Sequence, residues 1–146
     1  MNDKNSKSED SKMSENATPK VTGIGGIFFK ANNPKETKDW YAKNLGIQFT
    51  DWGSCSFESV DVNNPNVKNT LEWMPFKKDT DYFDPSKKEF MINYRVQNIE
   101  GLIENLKENE VTILDTLQIF DYGKFIHIMD EDGNKIELWE PIVEQE

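Results

Sequence analysis

An α+β fold of two strand–helix–three-strand modules in tandem is what this 146-residue sequence predicts. Three observations predict it. The order strand, helix, strands, set by hydrophobic period and by turn residues, runs through the chain twice. A shift of 65 positions, with no adjustment, places Ile27 on Ile92, Phe29 on Tyr94, Lys30 on Arg95 and Asn33 on Asn98, and again Asn69 on Asn134, Leu71 on Ile136 and Glu72 on Glu137. Each half also ends in a largely apolar run with a glutamate set inside it, Glu72 in "TLEWMPF" at 70–76 and Glu137 in "KIELWEP" at 135–141. An internal repeat of this kind is a fold-level signal. A module of this size buries too little surface alone, so two packed together make physical sense.

The first module opens with "GIGGIFFKA", where Ile27, Phe29 and Ala31 alternate with Gly26, Phe28 and Lys30 as on a strand. "NNPKETKDWYAKNLG" follows as a helix: Asn33 can cap it, Pro34 suits its first position and Gly46 can stop it after Leu45. "IQFTDW", "CSFESVDV" and "NTLEWMPF" read as three strands parted by Gly53 and by "NNPN". "KKDTDYFDPSKKE" breaks the pattern and reads as a linker.

In the second module "FMINYRV" is a strand, and "NIEGLIENLKENE" a helix with Ile99, Leu102, Ile103 and Leu106 on one stripe. "VTILDTL", "KFIHIMD" and "NKIELWE" complete it as strands. The modules span 21–76 and 89–142. Residues 1–20, polar throughout and without the apolar centre of a signal peptide, read as a disordered tail.

A net charge of −10 disfavours nucleic acid, whose phosphates require a basic face, and equally an anionic membrane surface. Cys55 is the only cysteine, which excludes an internal disulfide and a cysteine-based zinc site and suits a reducing, cytoplasmic setting. No apolar run is long enough to span a bilayer.

The text "IGGIFFKANNPKETKDWYAKNLGI" and the closing "FIHIMDEDGNKIELWEP" resemble the vicinal oxygen chelate superfamily, which includes glyoxalase I (lactoylglutathione lyase), bleomycin resistance proteins and extradiol dioxygenases. The resemblance covers roughly residues 21–142 and implies that each module curls into half of an open barrel around a cavity. It implies a homodimer. It further implies metal ligands on the first and last strands of both modules. Carried over by position, the last-strand ligands fall on Glu72 and Glu137. The first-strand places fall on Gly26 and Met91, neither of which suits a hard or borderline cation. The expected cofactor is therefore none, or a divalent metal on an incomplete ligand set.

The loop "DEDGN" reads as a three-residue hairpin turn, Glu131-Asp132-Gly133, with Gly133 in the left-handed place. That register pairs Met129 with Lys135, Ile128 with Ile136 and His127 with Glu137. Phe125, His127, Glu137 and Trp139 then face the cavity, and Ile126, Ile128, Ile136 and Leu138 face the helices. His127, the only histidine, is either a structural partner for Glu137 or a proton-transfer residue or ligand beside it. Phe28, Met91, Asn93 and Arg95 face inward by alternation. Arg95 is expected to neutralise one glutamate, or else to clamp a substrate carboxylate or phosphate.

Two function classes follow. One is a glyoxalase/bleomycin-resistance-type protein that binds a small organic molecule in the cavity. The other is a divalent-metal lyase or isomerase of the glyoxalase type, or a dioxygenase, using Glu72, Glu137 and His127.

Overall fold

Pairing of the two modules' first strands makes one sheet out of both halves. The computed structural model of the chain describes residues 17–142. Its elements are β1 (Lys20–Ala31), α1 (Pro34–Leu45), β2 (Cys55–Val60), β3 (Lys68–Lys77), β4 (Phe90–Gln97), α2 (Ile99–Glu108), β5 (Gln118–Phe120), β6 (Gly123–Met129) and β7 (Lys135–Pro141). The strands stand in the order β2-β3-β1-β4-β7-β6-β5. Within each module the first strand lies parallel to the last, β1 to β3 and β4 to β7, because the helix crossover returns the chain in the same direction. The modules join through antiparallel β1–β4 pairing. The α+β, glyoxalase-like architecture expected from the sequence is the one observed.

Local chemistry places the helices. Asn33 is extended and its Oδ1 accepts from the backbone N–H of Glu36 at 3.2 Å, Pro34 stands at the first position, and Gly46 takes φ +70° while its N–H reaches the Ala42 carbonyl. The core gathers under α2, where Val96, Ile99, Ile103, Ile126, Ile128 and Leu138 are buried. The helix-facing residues of β6 and β7 are those the hairpin register assigned. Under α1 the contacts are aromatic instead, with Phe29, Tyr41 and Phe49 around the Trp73 ring at 5.0, 4.7 and 5.8 Å between centroids.

Four local expectations are corrected. "IQFTDW" is not a strand: the chain from Ile47 to Trp52 makes no ladder and turns at Gly53, with Trp52 exposed. It would have been the outermost strand, with only one neighbour to hold it. "VTILDTL" also fails as a strand beyond a single bridge between Ile113 and Ile128. The cause is Asp115, whose Oδ1 accepts the His127 backbone N–H at 2.8 Å and so replaces the carbonyl that would have continued the ladder. Pairing resumes only in the short β5.

The linker is not a loose spacer either. Phe83 is fully buried beside Phe76, at 5.2 Å, and Tyr82 stacks on Phe76 at 5.7 Å. Residues 17–20, assigned to the tail, are part of the fold. Lys20 begins β1, and the carbonyls of Ala17 and Thr18 accept from Asn98 and Gln97 at 2.8 and 2.7 Å. Residues 1–16 of that tail lie outside the described residues.

Candidate functional site

One row of paired residues crosses six strands of the sheet. Ser56 pairs with Glu72, Glu72 with Gly26, Gly26 with Asn93, Asn93 with Glu137 and Glu137 with His127. Residues directly paired across strands project from the same face, so this row lines the side opposite the helices. Both glutamates of the apolar runs lie in it.

The row corrects one assignment from the 65-residue shift. Glu137 has Asn93, not Met91, as its first-strand neighbour. Met91 is fully buried and pairs with Phe28. From Gly26 to Glu72 is 46 positions and from Asn93 to Glu137 is 44, so the first module carries two extra residues. A two-residue slip preserves which face each side chain takes, which is why the repeat pattern concealed it.

Glu137 is buried and both of its carboxylate oxygens are engaged within the protein. Its Oε1 accepts from Asn93 Nδ2 at 2.6 Å, and its Oε2 faces His127 Nε2 at 2.7 Å and accepts the Tyr82 hydroxyl. His127 Nδ1 meets Asp115 Oδ2 at 2.6 Å. Burial disfavours charge on both Glu137 and His127, but the hydrogen bonds outweigh it. Those from His127, Tyr82 and Asn93 hold Glu137 below the ordinary glutamate value, and those to Glu137 and Asp115 hold His127 above the ordinary histidine value. Both directions favour the charged pair, an imidazolium against the Glu137 carboxylate. Burial and the adjacent Glu137 push the Tyr82 phenol up, so it remains a donor.

Glu72 belongs to a separate arrangement, accepting from Ser56 Oγ at 2.8 Å. The donor set does not fit the divalent ion that the resemblance implies. The side-chain space at Gly26 is taken: a Cβ there would stand 2.8 Å from the Phe28 ring. The Asn93 carbonyl oxygen has no hydrogen-bond partner, yet it is turned over Gly25, 2.4 Å from where a Cβ would be, beside the Trp139 ring. His127 and Glu137 are spent on each other, on Asp115 and on Tyr82. Among the described residues no three His, Cys, Asp or Glu side chains are grouped to hold a metal, so the Glu72–His127–Glu137 triplet is not assembled.

The open space lies one step along the same face. A cavity of ≈ 730 Å³ is lined by Lys68, Thr70, Arg95, Tyr122, Trp139 and their neighbours. That volume falls within the usual range of small-molecule sites. Trp139 stands beside Arg95 in register, its ring 5.8 Å from the guanidinium, and stacks on Phe125 at 6.0 Å with 7° between planes. Arg95 does not neutralise either glutamate as expected; its Nη2 donates to the Thr70 carbonyl across β1. Of the six inward-facing residues proposed for ligand contact, Arg95 and Trp139 line the cavity. Phe125 backs Trp139, while Phe28, Met91 and Asn93 pack elsewhere in the sheet.

Tyr82 and Asp115 were not singled out from the sequence. Asp115 carried a usable signal, a lone carboxylate inside the apolar "TILDTL", the same signature that marked Glu72 and Glu137. Tyr82 showed only as an aromatic in a charged linker.

The chain belongs to the glyoxalase/bleomycin resistance protein/dioxygenase superfamily, whose family model matches residues 23–138. Solved structures of the same fold include methylmalonyl-CoA epimerase from Streptomyces coelicolor in complex with 2-nitronate-propionyl-CoA, at a TM-score of 0.60 and 13% identity, covering 87% of this chain and 100% of that one. Methylmalonyl-CoA epimerase from Mycobacterium tuberculosis aligns at 0.53 and 18%, covering 84% and 89%. A superfamily member from Vibrio splendidus 12B01 aligns at 0.53 and 13%, covering 84% and 99%. No curated protein sequence matches the chain. No helix among the described residues is long and apolar enough to cross a membrane.

Proposed function

We propose that the protein binds a small organic molecule in the cavity beside Arg95 and Trp139, without a metal. The observation that carries this reading is the division of the concave face. The acidic row spends its two glutamates and its histidine on partners within the protein, while the adjacent row opens a ≈ 730 Å³ space walled by an indole and a guanidinium. Apolar walls with a few convergent polar groups are what ligand recognition requires. Glu137 and His127 then serve as the charged buttress of that wall, through the Glu137–Trp139 strand.

The test is ligand-observed and protein-observed NMR with a fragment library, before and after treatment with a chelator. Binders should shift resonances of Thr70, Arg95 and Trp139 equally in both conditions. Loss of all such binding on chelation would overturn the metal-free reading. The second reading, a metal-dependent lyase or isomerase, draws on the epimerases among the structural neighbours. It requires Tyr82 to leave Glu137 so that Glu137 and His127 can turn to an ion. Tight stoichiometric binding of zinc, nickel or manganese, lost in both Glu137→Ala and His127→Ala, would put that reading first. The homodimer expected by resemblance is checked by sedimentation against the 17.0 kDa chain mass.

A further inference from the structure

Arg95 is the only arginine in the chain, beside sixteen lysines and the single histidine His127. It occupies the floor of the one cavity already assigned a ligand, partly buried, in a protein with 27 carboxylate side chains. No carboxylate among the described residues forms an ion pair with it. Asp61 acts on it electrostatically, but the Asp61 carboxylate is engaged by Asn69 and by the backbone N–H groups of Asn63 and Asn64. A half-buried cation left without a paired anion is costly unless something else completes it.

The local geometry holds the guanidinium ready. Arg95 crosses β1 at Gly23, where an added Cβ would lie 3.3 Å from Nη1. Its Nη2 is anchored on the Thr70 carbonyl and its Cζ lies over the Trp139 ring, 5.8 Å from the centroid. One N–H is thus consumed in orientation, and a guanidinium has five. The glycine of "GIGG" clears the path that the arm takes. Lysine, a point charge without the planar fork, could reach the same space but not present two parallel donors.

We infer that the ligand of this cavity is a flat organic monocarboxylate, its carboxylate received by Arg95 and its body laid against Trp139. The inference rests on the cavity-binding reading above and adds the chemical class. Lys68, which also lines the cavity, is paired with Glu58 at 3.6 Å, so Arg95 is the one cation of the lining without an ion pair among the described residues, and its single positive charge matches a single negative one. A dianionic phosphate would add surplus charge beside Asp121, which lines the cavity, and against Asp61, which acts on Arg95, in a chain already at −10. The indole of Trp139, stacked on Phe125 and beside the guanidinium, supplies an apolar aromatic wall of the cavity against which a conjugated or aromatic body packs.

The test is calorimetric titration of the full chain with 1-naphthoate, its neutral isostere 1-naphthamide and 1-naphthyl phosphate. The Trp139 indole N–H resonance, assigned with Trp139→Phe, reports where each one binds. The acid is expected to bind at least about ten-fold tighter than the amide, the size of a charge-assisted pair. That preference should vanish in Arg95→Gln and be only partly restored in Arg95→Lys, with melting curves confirming that each variant folds. If Arg95→Gln does not fold, the reduced preference of Arg95→Lys carries the test. Equal binding of acid and amide with the Trp139 resonance moving, or tighter binding of the phosphate, overturns the inference and leaves cavity binding standing. No movement of the Trp139 resonance by any of the three at millimolar concentration overturns both.

Discussion

The two modules repeat one plan with unequal completion. Helix α2 buries Ile99 and Ile103 against the sheet, whereas α1 buries no residue and leaves Trp40 and Leu45 exposed. Glu137 is locked by three side chains and a second carboxylate beyond His127, whereas Glu72 has one serine. The second module supplies four strands to the sheet, the first three. Duplication preserved the position of the glutamate but not its surroundings, so position alone does not carry a role. What a carboxylate does is set by the donors around it and by how much water they exclude.

Removing the glutamate from each module should separate them most. Glu137→Ala leaves the buried His127 ring with Asp115 as its one carboxylate partner and the Tyr82 hydroxyl 3.3 Å from Nε2, and strips the Asn93 amide of its acceptor. A cost of about 3–5 kcal/mol in urea unfolding is expected, as for a broken buried pair. Glu72→Ala should cost about 1 kcal/mol, the worth of one hydrogen bond near water. Equal losses would mean that the two glutamates are equivalent after all.

The same asymmetry should appear in the helices. Ile103→Ala, in the packed stripe of α2, is expected to cost about 3 kcal/mol. Lys38→Ala, the position 65 residues earlier on α1, should stay within about 0.5 kcal/mol. A large loss at Lys38 would show that α1 is covered by something, a second copy included.

The network's charge state predicts a pH signature confined to the second module. His127 is raised above the ordinary 6.5, so its contribution to stability is full below 6.5 and is lost as pH rises through its folded value. Glu137 is lowered below the ordinary 4.5, so its contribution is present above 4.5 and is lost as pH falls through its folded value. The difference in unfolding free energy between wild type and His127→Gln should therefore shrink on the alkaline side. A difference constant from pH 6 to pH 10 would mean that the ring is neutral in the fold.

Much of this was legible in the sequence because it depends on local rules. The Asp130–Asn134 turn fixed the β6–β7 register, and with it the His127–Glu137 contact, since Gly133 alone suits the left-handed position (φ +80°). Caps and stop residues gave α1 to the residue. What was not legible depends on which distant groups meet. Asp115 ends a ladder only because its carboxylate meets the backbone N–H and the ring of His127 on the neighbouring strand. Tyr82 reaches Glu137 only because Phe83 anchors the linker in the sheet. The two-residue offset between modules was invisible because alternation is blind to even shifts.

The smallest contrast concerns the two helix caps, which the 65-residue shift superposes. Asn33 Oδ1 accepts from the Glu36 N–H and Asn98 Oδ1 from the Gly101 N–H, at 3.2 and 3.1 Å. The two bonds are alike, so a cap alone would make the two alanine variants cost about 1 kcal/mol each. Asn98 differs in three ways. It is buried, its Nδ2 ties down the Ala17 carbonyl at 2.8 Å, and its backbone sits at φ +51°, a region that asparagine tolerates and alanine resists. Asn98→Ala is therefore expected to cost about 2 kcal/mol, the upper end for a cap, and Asn33→Ala about half of that. Asn98→Gly divides the terms, because glycine relieves the backbone while losing both side-chain bonds. If Asn98→Gly is as stable as wild type, the backbone conformation explains the excess and the contact with Ala17 contributes nothing. If it matches Asn98→Ala, the side-chain bonds carry it, and deleting residues 1–17 should reproduce part of the same loss.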